Sequence, residues 1–151
     1  MSPELQTGNK NLYTTDYVRW VDVTVQQLRA KNYAAVDWDN LIEEIEDMSR
    51  RERKSLKSNL IVVLLYLLKW QYQSDRRSGS WRGSIREHRR RINDDLKDSP
   101  SLQPYLQAIF DECYGNARAQ ASDETEMPLH RFPASCPYSP EQVLNPDYLP
   151  A

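Results

Sequence analysis

Apolar residues recur at helical spacing along most of the chain, not in the alternation a half-buried strand requires. Tyr17, Val21, Val25 and Leu28 form one stripe at spacings of four, four and three. That predicts a first helix capped by Thr14 or Thr15 and ended near Ala30 by Lys31-Asn32. Tyr33 to Val36 reads as a linker to a second helix, capped by Asp37 or Asp39. In it Leu41, Ile45, Met48, Leu56, Leu60, Val63, Leu67 and Trp70 nearly continue a single stripe. Its one missing turn is at Glu52, within SRRERKS. No Gly or Pro occurs between Asn9 and Ser78. The pattern therefore predicts one helix over about 39–73, roughly 50 Å long at about 1.5 Å per residue, against roughly 30 Å for the width of a small domain. Such a helix must kink, overhang, or lean on a partner.

The two halves of this helix differ. Leu60 to Leu68 is apolar all round, which predicts burial on more than one face. Residues 49–55 are polar all round and should be bare or at a charged contact. Acids at the helix start and Lys69 near its end suit the macrodipole. After the loop SDRRSGS, Ser80 caps a third helix over about Trp81 to Lys97, with Trp81, Ile85, Ile92 and Leu96 facing inward. Asp98-Ser99-Pro100 stops it. A fourth helix is predicted from about Leu102 to Ala121, with Pro104 in its first turn, where proline is tolerated.

The last 25 residues hold six of the nine prolines and read as an extended segment anchored by Phe132, Tyr138, Leu144 and Tyr148. Ser139-Pro140-Glu141-Gln142 has the signature of a capped helical turn. Residues 1–11 read as a tail. The expected architecture is all-α: a bundle of about four helices, one of them very long, with a proline-rich C-terminal extension. The bundle domain covers 12–126 and the strap 127–151, packed on the bundle or on a partner.

With 151 residues, 39% hydrophobic and 28% charged, the chain suits a small bundle with wide solvated faces. Its net charge of −2 conceals opposed blocks. Six acids and no base lie in 37–47: Asp37, Asp39, Glu43, Glu44, Glu46 and Asp47. Seven arginines lie in 76–91, namely Arg76, Arg77, Arg82, Arg86, Arg89, Arg90 and Arg91, against the single acid Glu87. In a hairpin of the second and third helices the two blocks are about 45 Å apart. An antiparallel dimer of the long helices would bring them together through a closed two-fold interface. The alternative is a kink near 49–53 that folds the acidic arm back within one chain.

Several chemistries find little support. Four glycines and no Gly-rich phosphate loop argue against nucleotide cradling. Cys113 and Cys136 alone show no zinc spacing, and no Glu-x-x-His accompanies the acids, so neither metal nor other cofactor is expected. The longest apolar run is nine residues, Leu60 to Leu68, too short to span a bilayer. The N-terminal sequence lacks the apolar segment of a secretion signal, which points to the cytoplasm.

The strings NLIEEIEDM, LLKWQYQ, SW…IREHRRRI, DSPSL and CPYSPEQVL together resemble one bacterial family, the domain of unknown function numbered twenty-nine. The resemblance spans about Leu12 to Pro150 and implies an all-helical protein without an established activity. A His often stands in that family at the position of Tyr66, and a Gln at that of His88. The first departure weakens a metal reading of Glu43, Glu44 or Glu46; the second weakens any family-wide chemistry on His88.

Two readings of function follow. In the first, a non-catalytic interaction or regulatory protein acts as a homodimer, meeting partners through the acids Glu43, Glu44 and Glu46 and the bases Arg76, Arg77, Arg82, Arg86 and Arg90. In the second, the basic helix binds RNA or DNA through phosphates, with Trp70, Tyr72 and Trp81 for stacking. Arg82 and His88 resemble the short Arg/His motif of HEPN-type helical ribonucleases, in which His relays a proton and Arg stabilises the phosphorane. Lys69 and Trp70 beside Arg76 and Arg77 also suit a cation–π cluster that fixes the loop.

Overall fold

A computed structural model describes residues 11–151; the tail expected at 1–11 lies outside these but for Asn11, which begins a helical turn over 11–15. Among the described residues there is no strand. The main helices are α1 (Tyr17–Arg29), α2 (Trp38–Tyr72), α3 (Gly79–Asp98), α4 (Leu102–Thr125) and the short α5 (Pro140–Leu144). α2 is 35 residues long and helical at every position, including 49–53. The chain divides into two compact units, one ending at Arg50 and one starting at Arg51.

In the first unit, the side chain of Asp16 caps α1 by accepting from the Arg19 amide at 3.1 Å, displacing the expected threonine cap. α1 buries Trp20 and Thr24, while Tyr17 and Val25 of the expected stripe stay exposed. The largest apolar side chain selects the inner face. Trp20 is 2% exposed, with the Tyr13 ring edge-on at 4.8 Å and the Tyr17 ring stacked at 6.0 Å. Thr24 satisfies its hydroxyl on the Trp20 carbonyl at 2.7 Å, so a polar residue fits this buried position. Lys31 closes the helix in the left-handed conformation, at φ 58°.

In the first half of α2, Leu41 of the expected stripe is half-buried, but Ile45 and Met48 are uncovered, as is the neighbouring Ile42. Ile42, Ile45 and Met48 are 52%, 56% and 57% exposed. Periodicity identifies a face; it does not supply the element that covers it.

The second unit holds the core. Leu56, Leu60, Val63, Leu64, Leu67 and Leu68 of α2 are at or below 1% exposure, packed with Ile85 and Ile92 of α3 and Leu106, Cys113, Ala117 and Ala121 of α4. Ser78, not Ser80, caps α3, accepting from the Trp81 amide at 3.3 Å. α4 runs one turn past its expected end, to Thr125, and stops at Glu126 with φ 58°. Lys57 ties α2 to α4 through Glu112 at 2.8 Å.

The C-terminal strap is part of this core. Phe132, Tyr138 and Val143 are buried, and Leu144 and Tyr148 are half-buried. Tyr114 donates its hydroxyl to the Pro133 carbonyl at 2.5 Å, and Arg118 donates to the Phe132 carbonyl at 3.1 Å. The capped turn forms as expected, with a complete capping box between Ser139 and Gln142. The rest of the strap is irregular except for the 3-10 turn Leu129–Arg131. Both cysteines are free thiols, and burial raises each thiol pKa to about 11.

Candidate functional site

The arginines of α3 follow the helix period and so go to different places. Arg82, Arg86 and Arg89, at spacings of four and three, share one face. Arg90 turns away and pairs with Glu87 at 2.7 Å and Asp94 at 3.0 Å; Arg91 also meets Glu87, at 3.1 Å. These two guanidiniums lower the Glu87 carboxyl pKa.

Arg82 and Arg77 converge on one aromatic ring. The Arg77 guanidinium lies 4.9 Å and that of Arg82 5.5 Å from the Trp70 ring centre. Arg77 also donates to the Trp70 carbonyl at 2.7 Å, which pins the loop after α2 to that helix's last turn. Lys69 sits beside two rings, 4.8 Å from Trp81 and 5.0 Å from Tyr66. The cationic and aromatic side chains around the α2–α3 loop therefore hold one another. Arg76 is exposed in the short 3-10 turn Ser74–Arg76.

The sequence reading counts Arg89 in the basic block but not among its site residues, and it is the most buried arginine of the seven. Only 3% of it is exposed. Its Nε donates to the Val143 carbonyl at 2.7 Å and its Nη2 to the Gln142 carbonyl at 3.3 Å, so it caps the end of α5. Burial lowers its pKa, opposed only by the Tyr148 hydroxyl. The signal was its register: Ile85, Arg89, Ile92 and Leu96 form the inner stripe of α3, with arginine in an apolar slot.

Between this arginine face and the strap lies a cleft of about 220 Å³, bounded by Arg82, Arg86 and Arg89 on α3 and by Pro146, Asp147 and Leu149 on the strap. His88 does not line it. Its Nδ1 is 2.8 Å from Asn59 Oδ1 on α2, and burial lowers its pKa. Arg82 and His88 thus serve different surroundings, one in the cleft and one against α2.

The acidic candidates separate as well. Glu44 is 9% exposed and accepts from the Tyr13 hydroxyl at 2.5 Å and the Tyr17 hydroxyl at 2.6 Å. It is a buried carboxylate that organises α1 against the start of α2. Glu43 and Glu46 are exposed, and Glu46 meets Arg50 at 2.9 Å, a guanidinium that Asp47 shares. Among the described residues no group of three or more His, Cys, Asp or Glu is placed to hold a metal. No described helix is long and apolar enough to cross a membrane.

The model for Domain of unknown function DUF29 matches residues 12–149, nearly the whole chain, and the protein belongs to that family. No curated protein and no solved structure matches it.

Proposed function

We propose that this is a non-catalytic interaction protein that works as a homodimer through the first half of α2. One observation carries the reading: Ile42, Ile45 and Met48 are each more than half exposed on a helix whose second half buries its apolar positions almost completely. Trp38, at 45% exposure, extends the same side of the helix. Apolar side chains in register on a rigid helix form a contact surface that water covers poorly. Charge complementarity favours a second copy as the occupant. The exposed acids Glu43 and Glu46, the latter shared with Arg50, flank this half of α2, and the same chain offers an exposed arginine at Arg76 and another at Arg90, shared with Glu87 and Asp94. A single exposed pair contributes at most about 1 kcal/mol, so the apolar contact supplies affinity and the charges supply orientation.

Light scattering on a sizing column tests this. The expected mass is twice the chain's 17.8 kDa. Ile45→Glu with Met48→Glu should return it to the single-chain mass without loss of helical circular dichroism, because both side chains are exposed. Glu43→Lys with Glu46→Lys should weaken the dimer in a salt-dependent way. A monomer at high concentration overturns the reading.

A further inference from the structure

The cleft between α3 and the strap has the charge and the shape of an anion site. Arg82, Arg86 and Arg89 line one wall, and the single acid on its rim is Asp147. Arg89 is the decisive group. A buried guanidinium normally has a carboxylate partner, because an uncompensated charge is costly in a low-dielectric interior. Here the hydrogen-bond partners are two neutral backbone carbonyls. Arg86 is exposed beside it and makes no ion pair among the described residues. Arg82 is held from behind by the Trp70 ring, which fixes its position without neutralising it.

The neighbouring depression shows the contrast. It shares Arg86 and Arg89, but Glu87 and Asp94 line it too and already bind Arg90. An incoming anion would meet two carboxylates there and only one in the Arg82 cleft. On the other side, a second hollow lined by Trp70, Arg77 and Arg82 joins the site through the shared Arg82. It adds a second arginine, Arg77, beside the remainder of a ligand, while the Trp70 ring stays covered by the two guanidiniums.

We propose that this cleft binds the phosphate group of a small phosphate monoester, with Arg82, Arg86 and Arg89 as its cationic wall. Phosphate fits the donor set: a dianion with several acceptor oxygens can engage the exposed guanidinium forks of Arg82 and Arg86, while Arg89, its Nε and one Nη turned to the strap carbonyls, adds positive charge behind them. The volume of about 220 Å³ suits one such group with a short attached moiety, and the strap closes one side, so the site is a pocket and not a track for a polymer. Asp147 on the rim would accept from a hydroxyl of the ester and would penalise a ligand carrying further negative charge nearby.

The test uses the full chain and two probes, inorganic phosphate and ribose 5-phosphate, titrated by heteronuclear NMR while the arginine side-chain and strap amide signals are observed. Saturable shifts confined to α3 and residues 142–149 are expected, with the ester tighter than phosphate. Arg82→Gln and Arg86→Gln, both exposed and so harmless to folding, should each weaken binding about tenfold or more, because each removes a charge-assisted contact. Asp147→Asn should tighten it several-fold. Binding should persist in the Ile45→Glu with Met48→Glu variant, which separates this site from the proposed dimer. Shifts that fail to saturate, or equal affinity in the arginine variants, overturn the proposal. So does an oligonucleotide that binds more tightly than the ester with a steep salt dependence, since the arginine face would then be a polymer surface.

Discussion

Replacing Phe132 by alanine should destabilise the second unit more than most single changes outside its helices. Phe132 is 1% exposed, its ring meets Tyr72 edge-on at 5.4 Å, and its carbonyl is fixed by Arg118. Deleting a fully buried phenyl ring loses its transfer free energy and leaves a cavity, together about 3–5 kcal/mol. The site has little scope to collapse, because Arg118 and Tyr114 hold the flanking carbonyls in place. Urea unfolding followed by helical circular dichroism is the assay, read as a shift in midpoint at unchanged slope. Tyr138→Phe is the internal control. It keeps the buried ring and removes only a hydroxyl that reaches Gln71 at 2.7 Å and the Leu67 carbonyl at 3.1 Å, so its cost should be about 1 kcal/mol. A loss below about 1 kcal/mol for Phe132→Ala would refute the claim that the strap completes the core, whatever the control shows.

Further outcomes follow from other contacts. Glu126→Gly should stabilise the protein by about 1 kcal/mol in the same assay, since glycine adopts the left-handed cap at φ 58° without strain and an acid is removed from a helix C-terminus. The Tyr13 phenol pKa is raised to about 12, first by its hydrogen bond to Glu44 and then by burial. Its contribution is therefore fully present below pH 10 and lost as pH climbs through 12, and Tyr13→Phe should flatten that part of the stability profile. The His88 ring should titrate below its ordinary value in an NMR pH series, because burial against Asn59 disfavours the charged form; what it adds to stability holds at neutral pH and is lost on acidification through that lowered pKa. Cys113 and Cys136 should resist alkylation at neutral pH in the folded chain and react once urea unfolds it.

The fold was legible because helix signals are local. The absence of Gly and Pro, the acids at its start and the all-round apolar run located α2 to within a residue at each end. The capped turn at Ser139 likewise followed from four residues. What escaped depends on which surface meets which. The aliphatic stripe of α1 competed with a second face centred on Trp20, and tertiary contact chose the aromatic one. Glu44 reads as one of several solvated acids, and only the packing of Tyr13 and Tyr17 over it makes it a buried acceptor. Arg89 was hidden among seven arginines, although its place in the Ile85–Ile92 register marked it. The carbonyls it serves lie more than fifty residues away, beyond the reach of any periodic pattern.

The dependence of Arg89 on the strap has a consequence for proteolysis. A cut in the strap before Gln142 would remove the two carbonyls that accept from Arg89, and with them the buried Val143 side chain. The second unit would be left with a cation lacking its acceptors and with apolar surface where the core had been filled. One nick in an irregular segment thus converts a finished core into a ready substrate for chaperones and further cleavage.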